Sequence, residues 1–176
     1  MKHAAIVYEA LIRTNDKIMH KTEILNVFKD YNSKFHATLN FVTLMKYLAR
    51  HSFIKRIFVE YYYINSYDEK IRKYCMYEDK ELFFLVLNRL EIQWYVGLSY
   101  ALYLGKKALQ VPNRISIINT KYSGEREILG LKVSFNKSVS MDGCNTRQTK
   151  NGIQFYYSNM ARTKKDLAHF RKRNMQ

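Results

Sequence analysis

The stretch FIKRIFVEYYYI, residues 53–64, decides how the first third of the chain folds. As a single strand it would reach about 40 Å at ~3.4 Å per residue, long for a small domain. As two strands, one runs through Phe53, Ile54, Ile57 and Phe58 and the other from Tyr61 to Ile64. The chain would then reverse near Val59-Glu60. Glu60 makes a poorer turn than Gly or Asn would, because reversals of this kind favour backbone that tolerates positive φ. We take the two-strand reading, with Ile54, Ile57 and some tyrosines turned inward. The acidic Glu60 is then expected to keep the tip of the hairpin off a polyanion.

Three helical patterns precede the hairpin. Ile6, Val7, Ala10 and Leu11 recur at helical spacing between Ala4 and Thr14, and Asn15-Asp16 stops them. Ile24, Leu25 and Phe28 make an apolar stripe in a short helix from Thr22 to Lys29, ending at Tyr31-Asn32-Ser33. The third helix runs from Thr38, a candidate N-cap, to Arg50. Phe41, Leu44, Met45 and Leu48 share one face; Asn40, Thr43, Tyr47 and Arg50 share the opposite one, bordered by Lys46. Three helices followed at once by a strand pair is the order of a winged helix, a helix-turn-helix variant.

A boundary is expected near Asn65-Ser66-Tyr67-Asp68. Helical patterns follow at Glu69–Tyr77, Glu81–Leu90 and Tyr95–Leu104, the last closed by Gly105 and Val111-Pro112. Strand patterns then take over at Arg114–Asn119, Leu131–Phe135 and Ile153–Tyr157, with Asp142–Gly152 as a loop or hairpin connection. Thr163–Gln176 reads as a basic helical segment. The expected fold class is α+β: a winged helix-turn-helix over residues 1–66 and a small α/β regulatory domain over 67–176.

Charge narrows the function. The 176 residues hold 30 Lys and Arg against 15 Asp and Glu, a net charge of +15. That balance points to a polyanion, nucleic acid above all, or to an anionic membrane surface. A hydrophobic fraction of 47% argues against disorder. The apolar runs fall far short of the ~18 residues a membrane span needs. Tyr8, Glu9 and Arg13 break the opening apolar stretch, so no secretory signal is expected. Cys75 and Cys144 form neither a disulfide framework nor a zinc pattern, which fits a reducing cytoplasm.

No catalytic centre stands out. His3, His20, His36, His51 and His169 are scattered, and none has zinc-site spacing. His36 and His51 flank the third helix, where they would contact phosphate or cap its ends. There is no carboxylate pair for magnesium and no GxxxxGKS phosphate loop. The expectation is a non-enzyme with no metal and no cofactor. The basic residues are better placed. Asn40, Thr43, Lys46, Tyr47 and Arg50 would face the major groove, where Asn and Arg read base edges. Lys55 and Arg56 would approach a flanking phosphate or the minor groove. Near the end, Arg162, Lys164, Lys165, Arg171, Lys172 and Arg173 would track DNA backbone, bind an acidic protein surface, or keep the tail solvated.

The second half carries a resemblance. Trp94-Tyr95-Val96-Gly97-Leu98-Ser99-Tyr100-Ala101-Leu102, then Leu109-Gln110-Val111-Pro112 and Ile115–Thr120, resembles the AbiEi-type antitoxins of type IV toxin–antitoxin systems. Ser158, Arg162, Thr163 and Asp166 match that family's S-x-x-E-R-T-x-x-D motif, with Ala161 in place of its Glu. The resemblance covers about residues 3 to 167. It implies a winged-helix repressor that binds the double-stranded DNA of its own operator and acts with a nucleotidyltransferase-like toxin. Regulators of this type often dimerise on palindromic sites, although no homodimer seam is readable. For Arg162 and Asp166, an ion pair locking a strand to a helix competes with a functional role. Two other classes stay open: a protein-interaction module whose charge is incidental, and a nucleic-acid-processing enzyme.

Overall fold

The computed structural model describes residues 2–35, 40–138 and 140–173, without the side chains of 2 and 171–173. It is a mixed α+β chain of two compact units, Met1–Glu78 and Asp79–Gln176. The units therefore meet later in the chain than the expected boundary at 66/67.

The first unit runs α1 (Lys2–Arg13), β1 (Ile18–His20), α2 (Lys21–Phe35), α3 (Phe41–Arg50), β2 (Ile54–Arg56), β3 (Tyr61–Ile64) and α4 (Tyr67–Arg72). Residues 53–64 do fold back on themselves. Ile54 pairs with Ile64 and Arg56 with Tyr62, antiparallel. The Tyr61 amide donates to the Phe58 carbonyl at 3.0 Å, closing the reversal. Its two central residues, Val59 and Glu60, have φ of 47° and 62°. This is left-handed backbone, costly for a side chain and most costly for β-branched valine. Glu60 is held there from α2: its carbonyl accepts the Lys21 amide at 2.9 Å and its carboxylate pairs with Lys21 Nζ at 2.6 Å.

The sheet order is β1-β3-β2. Strand β1 was not expected, because three residues are too few to show a period of two. It exists through its partner, Ile18 lying against Tyr63. Helix α2 also runs past Asn32-Ser33, because Tyr31 is buried in the core and its ring lies 4.8 Å from Phe35; packing overrides the weak stop. Val7, Leu11, Ile24, Phe28, Leu44, Leu48, Ile54 and Ile64 form the core, with Tyr62 packed against it. Each such burial contributes about 1.5–3 kcal/mol.

The second unit comprises α5 (Asp79–Arg89), β4 (Trp94–Val96), α6 (Leu98–Leu104), β5 (Ile115–Asn119), β6 (Gly124–Ile128), β7 (Leu131–Lys137), β8 (Cys144–Gln148), β9 (Gln154–Ser158) and α7 (Met160–Arg173). Its mixed sheet has the order β6-β7-β5-β4-β9-β8. Helix α5 packs Phe84 at a tilt on Trp94 and Phe155, and Phe83 edge-to-face on Phe135. Tyr95, Ile118 and Phe170 pack on the other face, with α6 and α7. The segment expected as one helix from Tyr95 to Leu104 is instead strand β4 and helix α6, separated by Gly97. A Cβ on Gly97 would come within 2.6 Å of Ile118 Cγ1, so only glycine lets the chain turn so close to β5. The edge strands β6 and β8, also unexpected as strands, are largely exposed and polar or charged, a composition that discourages edge pairing.

The strain at the hairpin is testable. Val59→Asn keeps the Lys21–Glu60 contact and places a residue that tolerates positive φ at the turn. The urea midpoint should rise with an unchanged m-value, corresponding to about 1 kcal/mol.

Candidate nucleic-acid interface

Helix α3 begins at Phe41, not Thr38; Thr38 and His36 lie outside the described residues. Asn40 is its N-cap. The Asn40 Oδ1 accepts the Thr43 amide at 3.2 Å, relieving one orphan donor of the first turn. The helix buries Leu44 and Leu48, with Phe41, Met45 and Tyr47 partly buried beside them. Its solvent face is Val42, Thr43, Lys46, Ala49 and Arg50. Thr43, Lys46 and Arg50 are thus exposed together. Tyr47 stands at the margin, its ring 4.3 Å from His51 and stacked 6.2 Å from Phe53. Val42 and Ala49 were missed because their apolar type suggests the core; their spacing from Lys46 would have placed them outside. The helix carries no acidic residue.

Lys55 and Arg56, expected to act together, are neighbours on β2 and project to opposite faces of the hairpin. Arg56 is opposite Tyr62, on the side of Ile54 and the helical core, and is exposed. Lys55 is opposite Tyr63 and half-buried.

Tyr63 faces α4, which Glu69 anchors. Glu69 is 3% exposed. Its carboxylate accepts hydrogen bonds from the Tyr63 hydroxyl, the Ser66 amide and hydroxyl at 2.8 Å, the Met76 amide at 2.8 Å and Lys17 Nζ at 3.0 Å. Ser66 Oγ accepts the Glu69 amide in return, completing a capping box. Burial opposes the Glu69 charge, but the bonds from Tyr63, Ser66 and Met76 outweigh it and hold the carboxyl down at about 2. Burial first, then the neighbouring Glu69, pushes the Tyr63 phenol up. The Ser-x-x-Glu box of residues 66–69 was the available signal for this helix start.

In the second unit, Arg162 is 13% exposed and faces inward. Its Nε donates to Asp166 Oδ1 at 2.9 Å and to the Tyr95 hydroxyl at 3.1 Å. Its two terminal nitrogens donate to Ser138 Oγ at 3.0 Å and Ser140 Oγ at 3.1 Å. The Tyr95 hydroxyl donates to Asp166 Oδ2 at 3.0 Å. Ser158 and Thr163 hydrogen-bond each other at 2.7 Å, also buried. Ser158, Arg162, Thr163 and Asp166 therefore tie β4, β9, α7 and the chain after β7 together. Lys164 and Lys165 are exposed on α7. Helix α7 extends to Arg173, and the side chains of Arg171, Lys172 and Arg173 lie outside the described residues.

Among the described residues, no group of His, Cys, Asp and Glu could hold a metal ion, and no helix is long and apolar enough to cross a membrane. No protein-family model matches the chain, and no curated protein matches it.

The Glu69 anchor makes stability depend on acidity. Its folded pKa lies below the unfolded value, so its contribution is fully present above about pH 5 and is lost as pH falls towards 2. Chemical denaturation across that range should show the loss. Glu69→Gln should cost on the order of 3 kcal/mol at pH 7 and flatten the profile between pH 5 and 2.

Proposed function

We propose that the first unit is a winged-helix DNA-binding module and that the protein is a sequence-specific transcriptional regulator. In this reading α3 enters the major groove and the β2–β3 hairpin is the wing. The observation that carries it is the outer face of α3: Thr43, Lys46 and Arg50 exposed together, with no acid on the helix. The order helix, strand, helix, helix, strand, strand supports it, as does the net charge of +15. Arg50 suits guanine, whose O6 and N7 accept its paired donors. Val42 and Ala49 suit thymine methyls. Asn40, as N-cap, sits where the helix would meet the groove, and Arg56 and Tyr47 flank the face.

The resemblance to AbiEi-type antitoxins adds a role: repression of the protein's own gene and partnership with a nucleotidyltransferase-like toxin. Ser158, Thr163 and Asp166 are buried, so a toxin would have to meet other residues, with exposed Lys164 and Lys165 the available part of the basic cluster. Such a regulator works in the cytoplasm, which suits two free cysteines.

Footprinting on DNA upstream of the protein's own gene tests this. A protected site should appear, and Arg50→Ala should weaken it by about 1–3 kcal/mol, roughly 5- to 150-fold, at the base Arg50 reads. Absence of duplex retention even at low salt would contradict the reading.

A further inference from the structure

Behind the C-terminus of α3 the first unit has a cleft of about 550 Å3. Arg50, His51, Lys55, Lys70 and Lys73 line it, from β2 and from α3 and α4 with the residues that cap their C-terminal ends. Among the described residues, Glu69 is the one acid lining it. That carboxylate is turned to Tyr63, Ser66, Met76 and Lys17, so Arg50, Lys70 and Lys73 set the sign of the cleft. The partial negative charge at the end of α3 opposes them by only a fraction of a charge.

The walls are fixed. Asn65 Nδ2 donates to the Ser52 carbonyl at 2.7 Å, and the Asn65 amide donates to the Phe53 carbonyl at 3.0 Å. Tyr8, buried against Phe53, donates to the Asn65 carbonyl at 2.6 Å. Lys70 Nζ lies 3.5 Å from the centre of the Phe53 ring, a cation–π contact that holds the ammonium in place. Lys73 has φ of 53° and ends α4 in left-handed backbone.

We infer that this cleft takes a backbone phosphate of the nucleic acid bound by α3, with Lys70 and Lys73 as contacts contributed by α4. The inference rests on the DNA-binding reading above. It extends the interface beyond α3 and the hairpin, to a helix after the winged-helix order ends. It also gives Glu69 a positioning role, since its bonds fix the helix that carries both lysines.

Fluorescence anisotropy with a random-sequence duplex of about 20 base pairs, from about 50 to 200 mM KCl, tests it. Lys70→Gln/Lys73→Asn removes both charges and suits the backbone at 73; thermal melting checks that the variant folds. The slope of log affinity against log salt should fall in magnitude by about 1, since a single phosphate contact contributes about 0.9. Lys70→Arg/Lys73→Arg should keep the wild-type slope. So should Lys107→Ala/Lys132→Ala, which loses the same charge in the second unit. An unchanged slope in the first variant, or an equal fall in the second-unit control, would overturn the inference. So would saturable binding of inorganic pyrophosphate that the first variant abolishes while its DNA slope stays wild-type. Wild-type protein that binds no duplex at the lowest salt removes the DNA-binding reading itself, and the cleft assignment with it.

Discussion

The first unit depends on one buried carboxylate. Glu69 draws donors from the residue before β1, from β3, from the start of α4 and from the segment after it. An unpartnered ionised carboxylate at that depth would cost several kcal/mol, so each donor is needed to keep it charged. The consequence is geometric. Tyr62 and Ile64 face the core built with α1, α2 and α3, while Tyr63, between them, faces α4. The small sheet is covered on both sides, and the helix on the second side brings Lys70 and Lys73 beside Arg50 and Lys55.

Charge is arranged as well as abundant. Helix α3 has no acid, and the acid at the hairpin tip, Glu60, is paired with Lys21. That pair is exposed and contributes little to stability. Its effect is to offset the charge expected to hold the tip away from a polyanion. The buried acids Glu69, Glu81 and Asp166 are all engaged within their own units. What remains on the outer face of α3 and in the cleft behind it is predominantly positive.

The hairpin was legible in residues 53–64, and so was most of the helical periodicity, because patterns of apolar residues report directly on a buried face. Strand β1 was not, since three residues acquire their conformation from β3. The helix assigned across Tyr95 failed because Gly97 acts through a close approach to Ile118 that no local pattern announces. The exposed face of α3 was half legible. Thr43, Lys46 and Arg50 follow from helical spacing, but Val42 and Ala49 were hidden by residue type. Lys55 and Arg56 looked like a pair in sequence, yet strand alternation sends them to opposite faces. Nothing in the sequence pattern placed Lys70 and Lys73 beside Arg50 and Lys55, because that arrangement depends on the side-chain bond from Tyr63 to Glu69 that ties α4 to β3.

The most direct test is an amide chemical-shift titration of the labelled protein with duplex DNA at low salt. A DNA-binding first unit predicts that the perturbed amides cluster on α3, on β2–β3 and at the end of α4. Perturbations confined to the second unit, or none at saturating duplex, would contradict it.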